Sequence, residues 1–281
     1  ARILKSFGNS KLATAIIPAI IAKHEIPYRF NKVELVKAKQ SGATSMKNRV
    51  DLRHIPFVTV DDETARDFDD AVWAQRTPND KGWHILIAIA DVSSYVTPGD
   101  PLDKVARDRG NSVYFPNTVI PMLPEDLSNG WCSLIPNEDR PCLAVDILID
   151  DQGNKQKHKF IRCMIRSAAR LTYSEVQDVH NRTLEPNNNI SNELIENLFG
   201  AFFSLNQNKN NRGTINFDRP EHQISLSKAG SVLGIGERHR LDSHRLIEEF
   251  MVLANVCAAE TLEKFKTPGM YRDHEEPTPE R

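Results

Sequence analysis

The chain has 281 residues, 40% of them hydrophobic and 26% charged, which are the proportions of a soluble globular protein able to bury a sizeable core without cross-links. No uninterrupted apolar run reaches membrane-spanning length and no signal peptide is visible, so no membrane partner is expected. The formal net charge of -2, from 36 Lys and Arg against 38 Asp and Glu, neither favours nor excludes a polyanion ligand, since such a ligand needs basic residues on one face rather than in the total.

Residues 1–49 differ from the rest and read as an entry linker. Lys11 to Ala22 is apolar enough for a short helix that is kinked at, or begins at, Pro18. The polar, basic stretch Lys37 to Lys47 reads as a helix or linker. The main domain opens at Val50-Asp51-Leu52-Arg53. Phe57 to Val60 is β-branched and aromatic and predicts a strand, and Ala71 to Ala74 predicts another. Trp83 to Val92 is a longer apolar run, as expected of a buried central strand. Cys142–Ile149 and Lys157–Arg166 flank Asp150-Asp151-Gln152-Gly153 and predict a hairpin. Ser191 to about Asn206 carries a helical stripe of Leu194, Leu198, Phe202 and Leu205. Short strands are expected near Thr214–Phe217, Gln223–Leu226 and Val232–Ile235. Leu241 to about Lys266 predicts a long helix with Leu246, Phe250, Leu253 and Cys257 on one face, capped by Asp242 or Ser243. Strands and helices mix without regular βαβ alternation, so the class is α+β.

The four cysteines, Cys132, Cys142, Cys163 and Cys257, form no C-x-x-C pair and match no zinc module. Cys163 and Cys257 lie in apolar stretches and read as core residues. A reducing cytosol is the simplest compartment. The start at Ala1 and the end at Pro279-Glu280-Arg281 predict a piece of a longer protein.

Residues 61–70 hold five aspartates and one glutamate between two apolar strands. Carboxylates gathered at a strand end repel one another, and a divalent cation is the best compensation. Mg²⁺ takes oxygen ligands and keeps positions open for water and phosphate, which is the arrangement that metal-assisted phosphodiester hydrolysis requires. A generic acidic run is more often a solvated loop, but Phe68 and the flanking strands weaken that reading here. A calcium loop lacks its Gly and distal Glu at the required spacing.

Asp61-x5-Asp67-x-Asp69-Asp70, within Thr59 to Val72, resembles the metal-binding signature of the ribonuclease II / ribonuclease R catalytic domain. Further ordered motifs agree: Arg53, Ile89 to Ser93, Tyr114-Phe115-Pro116, Ile120 to Pro124, Leu127 to Leu134, Asn137 to Pro141, Ala169 to Tyr173, Leu246 to Glu249, and Tyr271-Arg272-x-His274. The resemblance runs from about residue 50 to the end, and the wording Ala65–Val72 leans towards ribonuclease R. It implies an RNB-type catalytic domain over 50–281, with a mixed or antiparallel sheet and flanking helices. The implied activity is hydrolytic 3'-to-5' degradation of single-stranded RNA to nucleoside 5'-monophosphates by a cytoplasmic monomer. It also implies that Asp61, Asp67, Asp69 and Asp70 hold Mg²⁺, with Mn²⁺ able to substitute, and that Asp69 is the residue most tied to the chemical step.

On the same resemblance Tyr114 stacks on bases near the scissile end, while Tyr173 and Glu248 contact the terminal ribose, whose 2'-OH distinguishes RNA from DNA. Each has a bland alternative: Tyr114 as a core aromatic, Tyr173 as packing at a helix entry, Glu248 as a solvated helix residue. Glu249 points about 100° away from Glu248 on a helix, so only one of the two serves as ligand. Arg272 and His274 are phosphate candidates, Arg212 a further one, and Met122 and Leu123 either wall a channel or simply pack. The family carries cold-shock-type domains before and an S1-type domain after the catalytic domain. Residues 1–49 are therefore expected to include the tail of a preceding nucleic-acid-binding domain. The family's downstream active-site arginines have no counterpart in these residues, nor does the RNA-clamping aromatic near Lys209, so slow turnover is expected. The competing readings are a non-catalytic RNA-binding module on the same fold and a metal-stabilised structural protein.

Overall fold

A computed structural model describes residues 12–78, 81–116, 118–186, 190–214, 221–227 and 232–271. Helix α1 (Leu12–Lys23) runs through Pro18. Helix α2 (Lys32–Lys39) starts earlier than the basic stretch Lys37–Lys47 suggested. The reason is a capping box: Asn31 Oδ1 accepts from the Val33 and Glu34 amides, and the Glu34 carboxylate accepts from the Asn31 amide. The chain then leaves the helix at Gln40, and residues 40–49 are not helical.

A seven-stranded mixed sheet follows. Its first strands are β1 (Val50–Asp51), β2 (Val58–Asp61), β3 (Asp70–Arg76) and β4 (Gly82–Ala90). Helix α3 (Pro101–Arg109) and a small hairpin, β5 (Val113–Phe115) with β6 (Thr118–Ile120), lead to β7 (Asp139–Asp150), β8 (Lys155–Arg166) and β9 (Ala169–Thr172). The order across the sheet is β1-β8-β7-β4-β3-β2-β9, with the β1–β8 and β2–β9 pairs parallel and the others antiparallel. The central stretch of β4, Ile85–Ala88, is apolar and covered on both faces. Ile85 and Ile87 join the cluster beneath the helices, while Leu86 and Ala88 join a second cluster with Cys142, Ala144, Cys163 and Ile165.

Helices α4 (Tyr173–His180), α5 (Asn192–Asn211) and α6 (Asp242–Lys264) cover the first face, and β10 (Glu221–Leu226) pairs with β11 (Val232–Arg238) in a separate hairpin. Leu194, Leu198, Phe202 and Leu205 of α5 and Leu246, Phe250 and Cys257 of α6 are buried there, as their helical spacing predicts. The α6 cap differs from expectation. Leu241 is the cap residue, and its amide donates to His244 Nδ1, while the Ser243 hydroxyl donates to the Tyr173 carbonyl instead. Of the strand expected at Thr214–Phe217, residues 215–217 lie outside the described residues. The four cysteines are free and buried. No helix among the described residues is long and apolar enough to cross a membrane.

The sheet and α5 meet at Gly200, where a Cβ would stand 2.3 Å from the Trp83 ring. Trp83 is fixed from both sides, donating its indole N–H to Ser204 Oγ at 3.0 Å and receiving the Arg76 guanidinium 4.1 Å above its ring. Gly200→Ala is therefore expected to lower unfolding stability by about 1–3 kcal/mol through overpacking. Gly234→Ala, with nothing within 4 Å of the added carbon, serves as a near-neutral control. Urea denaturation of the two variants measures the difference, and equal midpoints would refute the packing account.

Candidate active site

The acidic loop spans the end of β2 and the start of β3. Asp61 closes β2, Asp70 opens β3, and Asp67 and Asp69 lie on the connection. The loop is tied down by its backbone. Fully buried Ser133 accepts the Phe68 amide at 3.1 Å and donates its hydroxyl to the Arg66 carbonyl at 2.8 Å. The Leu134 amide donates to Phe68 O at 2.8 Å, and the Ala90 amide to Asp69 O at 2.9 Å. From β9, Arg170 donates to the Asp62 carbonyl at 2.6 Å and lies over the Phe68 ring at 5.7 Å. None of these ties uses a carboxylate of Asp61, Asp69 or Asp70, so those oxygens stay available.

The aspartates feel one another. Burial, with repulsion from Asp70, Asp67 and Asp69 and a partial offset from Arg170, pushes Asp61 up to about 7. Asp69 keeps an open side, yet desolvation and the charges of Asp67 and Asp70 push its carboxyl up to about 6. Burial pushes Asp70 up to about 6. Among the described residues, no three His, Cys, Asp or Glu side chains stand in ligating geometry around one point. Repulsion opposes such a convergence in free carboxylates, and a cation favours it. The donor set, hard carboxylate oxygens on a braced loop, fits Mg²⁺ chemistry.

Beside Asp61 a cleft of 420 Å³ opens, lined also by Asp62, Glu63, Thr172, Tyr173, His239 and His244. The parallel pairing of β2 with β9 sets Asp61 opposite Thr172, so Tyr173, the first residue of α4, arrives at the same place. Thr172 caps α4 reciprocally with Glu175. The Tyr173 ring stacks on His244 of α6 at 4.1 Å and also packs against the main core. Tyr114 reaches the acidic loop from β5. Its side chain is 66% exposed, which rules out the core-aromatic alternative, and its hydroxyl donates to Asp67 Oδ2 at 3.3 Å.

A family model described as the RNB domain matches residues 49–281. The chain belongs to the RNB-domain family. It is 38% identical to ribonuclease R of Escherichia coli (strain K12), covering 99% of this chain and 35% of that protein. The structure resembles Mycoplasma genitalium RNase R in complex with ribose methylated single-stranded RNA, with a TM-score of 0.86 and 31% identity over 92% of this chain and 41% of that one. It resembles the same RNase R in complex with double-stranded RNA with a TM-score of 0.88 and 29% identity over 93% and 47%. The chain spans about a third of the length of the curated relatives it matches.

Against this RNB frame, the expected site residues separate. Asp61, Asp67, Asp69, Asp70 and Tyr114 are brought together, and Tyr173 joins them across the cleft. Glu248 is exposed, one turn beyond His244 on α6, and forms an ion pair with Arg240. Glu249 instead is 8% exposed and bonded to Lys209. Leu123 is buried with Tyr95, Leu102 and Leu127, so it packs rather than lines a channel. Arg53 is held by Asp51 and Asp139. Arg212 is the exposed C-cap of α5. Arg272 and His274 lie outside the described residues. Sequence reasoning gave no role to Ser133, Arg170, His239 or His244. Ser133 and Arg170 stood inside the matched motifs, which was the only signal they offered.

The raised carboxyls set a pH dependence. A carboxyl whose pKa climbs from 3.8 to about 6 or 7 on folding holds its proton more tightly in the folded chain. Stability is therefore greatest with these groups protonated and is lost as pH rises from about 4 through about 7. The melting temperature in EDTA is expected to fall between pH 5 and pH 8, and Mg²⁺ to raise it more at pH 8 than at pH 5. A Mg²⁺ increment independent of pH would contradict this.

Proposed function

We propose that residues 50–281 are the catalytic domain of a hydrolytic 3'-to-5' exoribonuclease acting on single-stranded RNA, releasing nucleoside 5'-monophosphates with Mg²⁺, or Mn²⁺ in its place. Residues 1–49 are read as the entry linker and the tail of a nucleic-acid-binding domain. The observation that supports this best is the braced loop carrying Asp61, Asp67, Asp69 and Asp70 at the mouth of a cleft that also holds Tyr173. The four buried thiols suit a reducing cytoplasm, and a monomer acting on RNA completes the reading.

Asp61, Asp67, Asp69 and Asp70 would hold the cation. When bound, the cation supplies positive charge to the phosphate and eases the ionisation of water. The remaining work falls to the chain. Asp69, with its open side, orients the attacking water. The exposed Tyr114 ring offers a face to any base, and its hydroxyl, bonded to Asp67, fixes that face beside the loop. Tyr173, braced by His244, and Glu248, held by Arg240, contact the terminal ribose 2'-OH, which selects RNA over DNA. Arg272 is a phosphate contact in this reading.

A 5'-labelled single-stranded RNA incubated with Mg²⁺ tests it. The chain should shorten the strand stepwise from the 3' end, and Asp69→Asn should slow this by at least ~100-fold, the range of a lost catalytic group. Because slow turnover is expected of this chain, a protein extended beyond Arg281 is assayed beside it, and RNA binding without shortening by either of the two would mark a binding module on an inherited nuclease fold and overturn the proposal.

A further inference from the structure

A second cavity, 260 Å³, lies between α5 and α6. Facing helical stripes build its walls. Asn206, Lys209 and Asn210 fall at i, i+3 and i+4 on α5, and Arg245 and Glu249 at i and i+4 on α6. Phe202 of α5 and Arg240, just before α6, complete the lining. The lining thus holds three cations (Lys209, Arg240, Arg245) and one anion (Glu249), an excess of two positive charges. Each cation has a carboxylate partner, but only Glu249 lines the cavity. Asp242, 3.2 Å from Arg245, and Glu248, paired with Arg240, do not line it, and both are 44% exposed.

The inward Lys209–Glu249 pair, 17% and 9% exposed, fixes the floor. The arginine forks above it match phosphate oxygens in geometry, and the Asn206 and Asn210 carboxamides add uncharged donors. An anion seated there is partly shielded from solvent, so attraction to it is screened less than at an open surface. The cavity also adjoins the acidic cleft through consecutive residues: His239 and Leu241 line the cleft, and Arg240 between them lines the cavity.

We propose that this α5–α6 cavity is a phosphate-binding subsite that takes a phosphate group of the RNA. The inference rests on the ribonuclease reading. Two sources share this chemistry, a phosphodiester within the strand and the phosphate of a free mononucleotide, and two arms of one experiment separate them. In an Asp69→Asn background that blocks turnover, the affinity for a labelled oligoadenylate is measured by fluorescence anisotropy between 50 and 200 mM salt. Arg245, Arg245→Gln and Arg245→Lys are compared. Calorimetry with adenosine 5'-monophosphate against adenosine forms the second arm. Arg245 is 39% exposed on its side chain, so Gln should leave the fold intact, which circular dichroism checks.

For a strand phosphodiester, Arg245→Gln should weaken RNA binding about tenfold, as loss of a charge-assisted hydrogen bond does. It should also flatten the salt slope by ~0.7, one phosphate's worth for a single strand, and Lys should recover the slope. For a free mononucleotide, Arg245→Gln should instead abolish the preference for adenosine 5'-monophosphate over adenosine and leave the RNA slope unchanged. Unchanged slope together with unchanged nucleotide binding would overturn the subsite while leaving the ribonuclease reading standing. Absence of any RNA binding by the Arg245 parent would remove the ribonuclease reading and the subsite with it.

Discussion

Mutual repulsion among Asp61, Asp67, Asp69 and Asp70 is the constraint around which this end of the molecule is organised. Left to itself, a segment with that charge density extends into water. Here it is held by ties to its backbone: the neutral Ser133 hydroxyl and Leu134 and Ala90 amides, and the Arg170 guanidinium on the Asp62 carbonyl, whose charge offsets only part of the repulsion. Bracing the main chain rather than the carboxylates keeps the loop in place without neutralising it. The result is that the proton affinities of Asp61, Asp69 and Asp70 rise towards neutrality, and the charge of the loop is best relieved by a divalent ion.

The sheet supplies the frame for this. β4 is covered on both faces, so it is a rigid central strand, and its partner β3 begins at Asp70. The edge strand β9 runs parallel to β2 and delivers Tyr173 beside Asp61 from over a hundred residues away in sequence. α6 then brings His244 onto Tyr173. The cleft is the junction of strand ends and a helix start, where open sheets commonly place ligands. The exposed Tyr114 adds an aromatic face to the loop from the β5–β6 hairpin.

Strands β2, β3 and β4, the β7–β8 hairpin and the two long helices were legible because hydrophobic period and turn chemistry are local; the short strands β1 and β9, which pair in parallel with strands over a hundred residues away, were not. The acidic loop was legible for the same reason, as contiguous charge between apolar runs. What holds the loop was not, since Ser133 and Arg170 act across 65 and 108 residues and carry no local signature of that role. The α2 boundary was misplaced because the Asn31–Glu34 capping box outweighed the basic composition further on. The α6 cap was misassigned because Ser243 is drawn to the Tyr173 carbonyl, a tertiary contact. Likewise, Glu248 and Glu249 are neighbours in sequence, and only the position of Lys209 on α5 shows which of the two is buried.

The claim beneath all of this is that the acidic loop gathers a divalent cation. Anomalous diffraction from crystals grown with Mn²⁺ tests it directly. The account predicts a peak with oxygen ligands from at least two of Asp61, Asp67, Asp69 and Asp70, at distances near ~2.1 Å. A map with no peak at the loop under saturating Mn²⁺, or with Mn²⁺ only elsewhere on the chain, would contradict it.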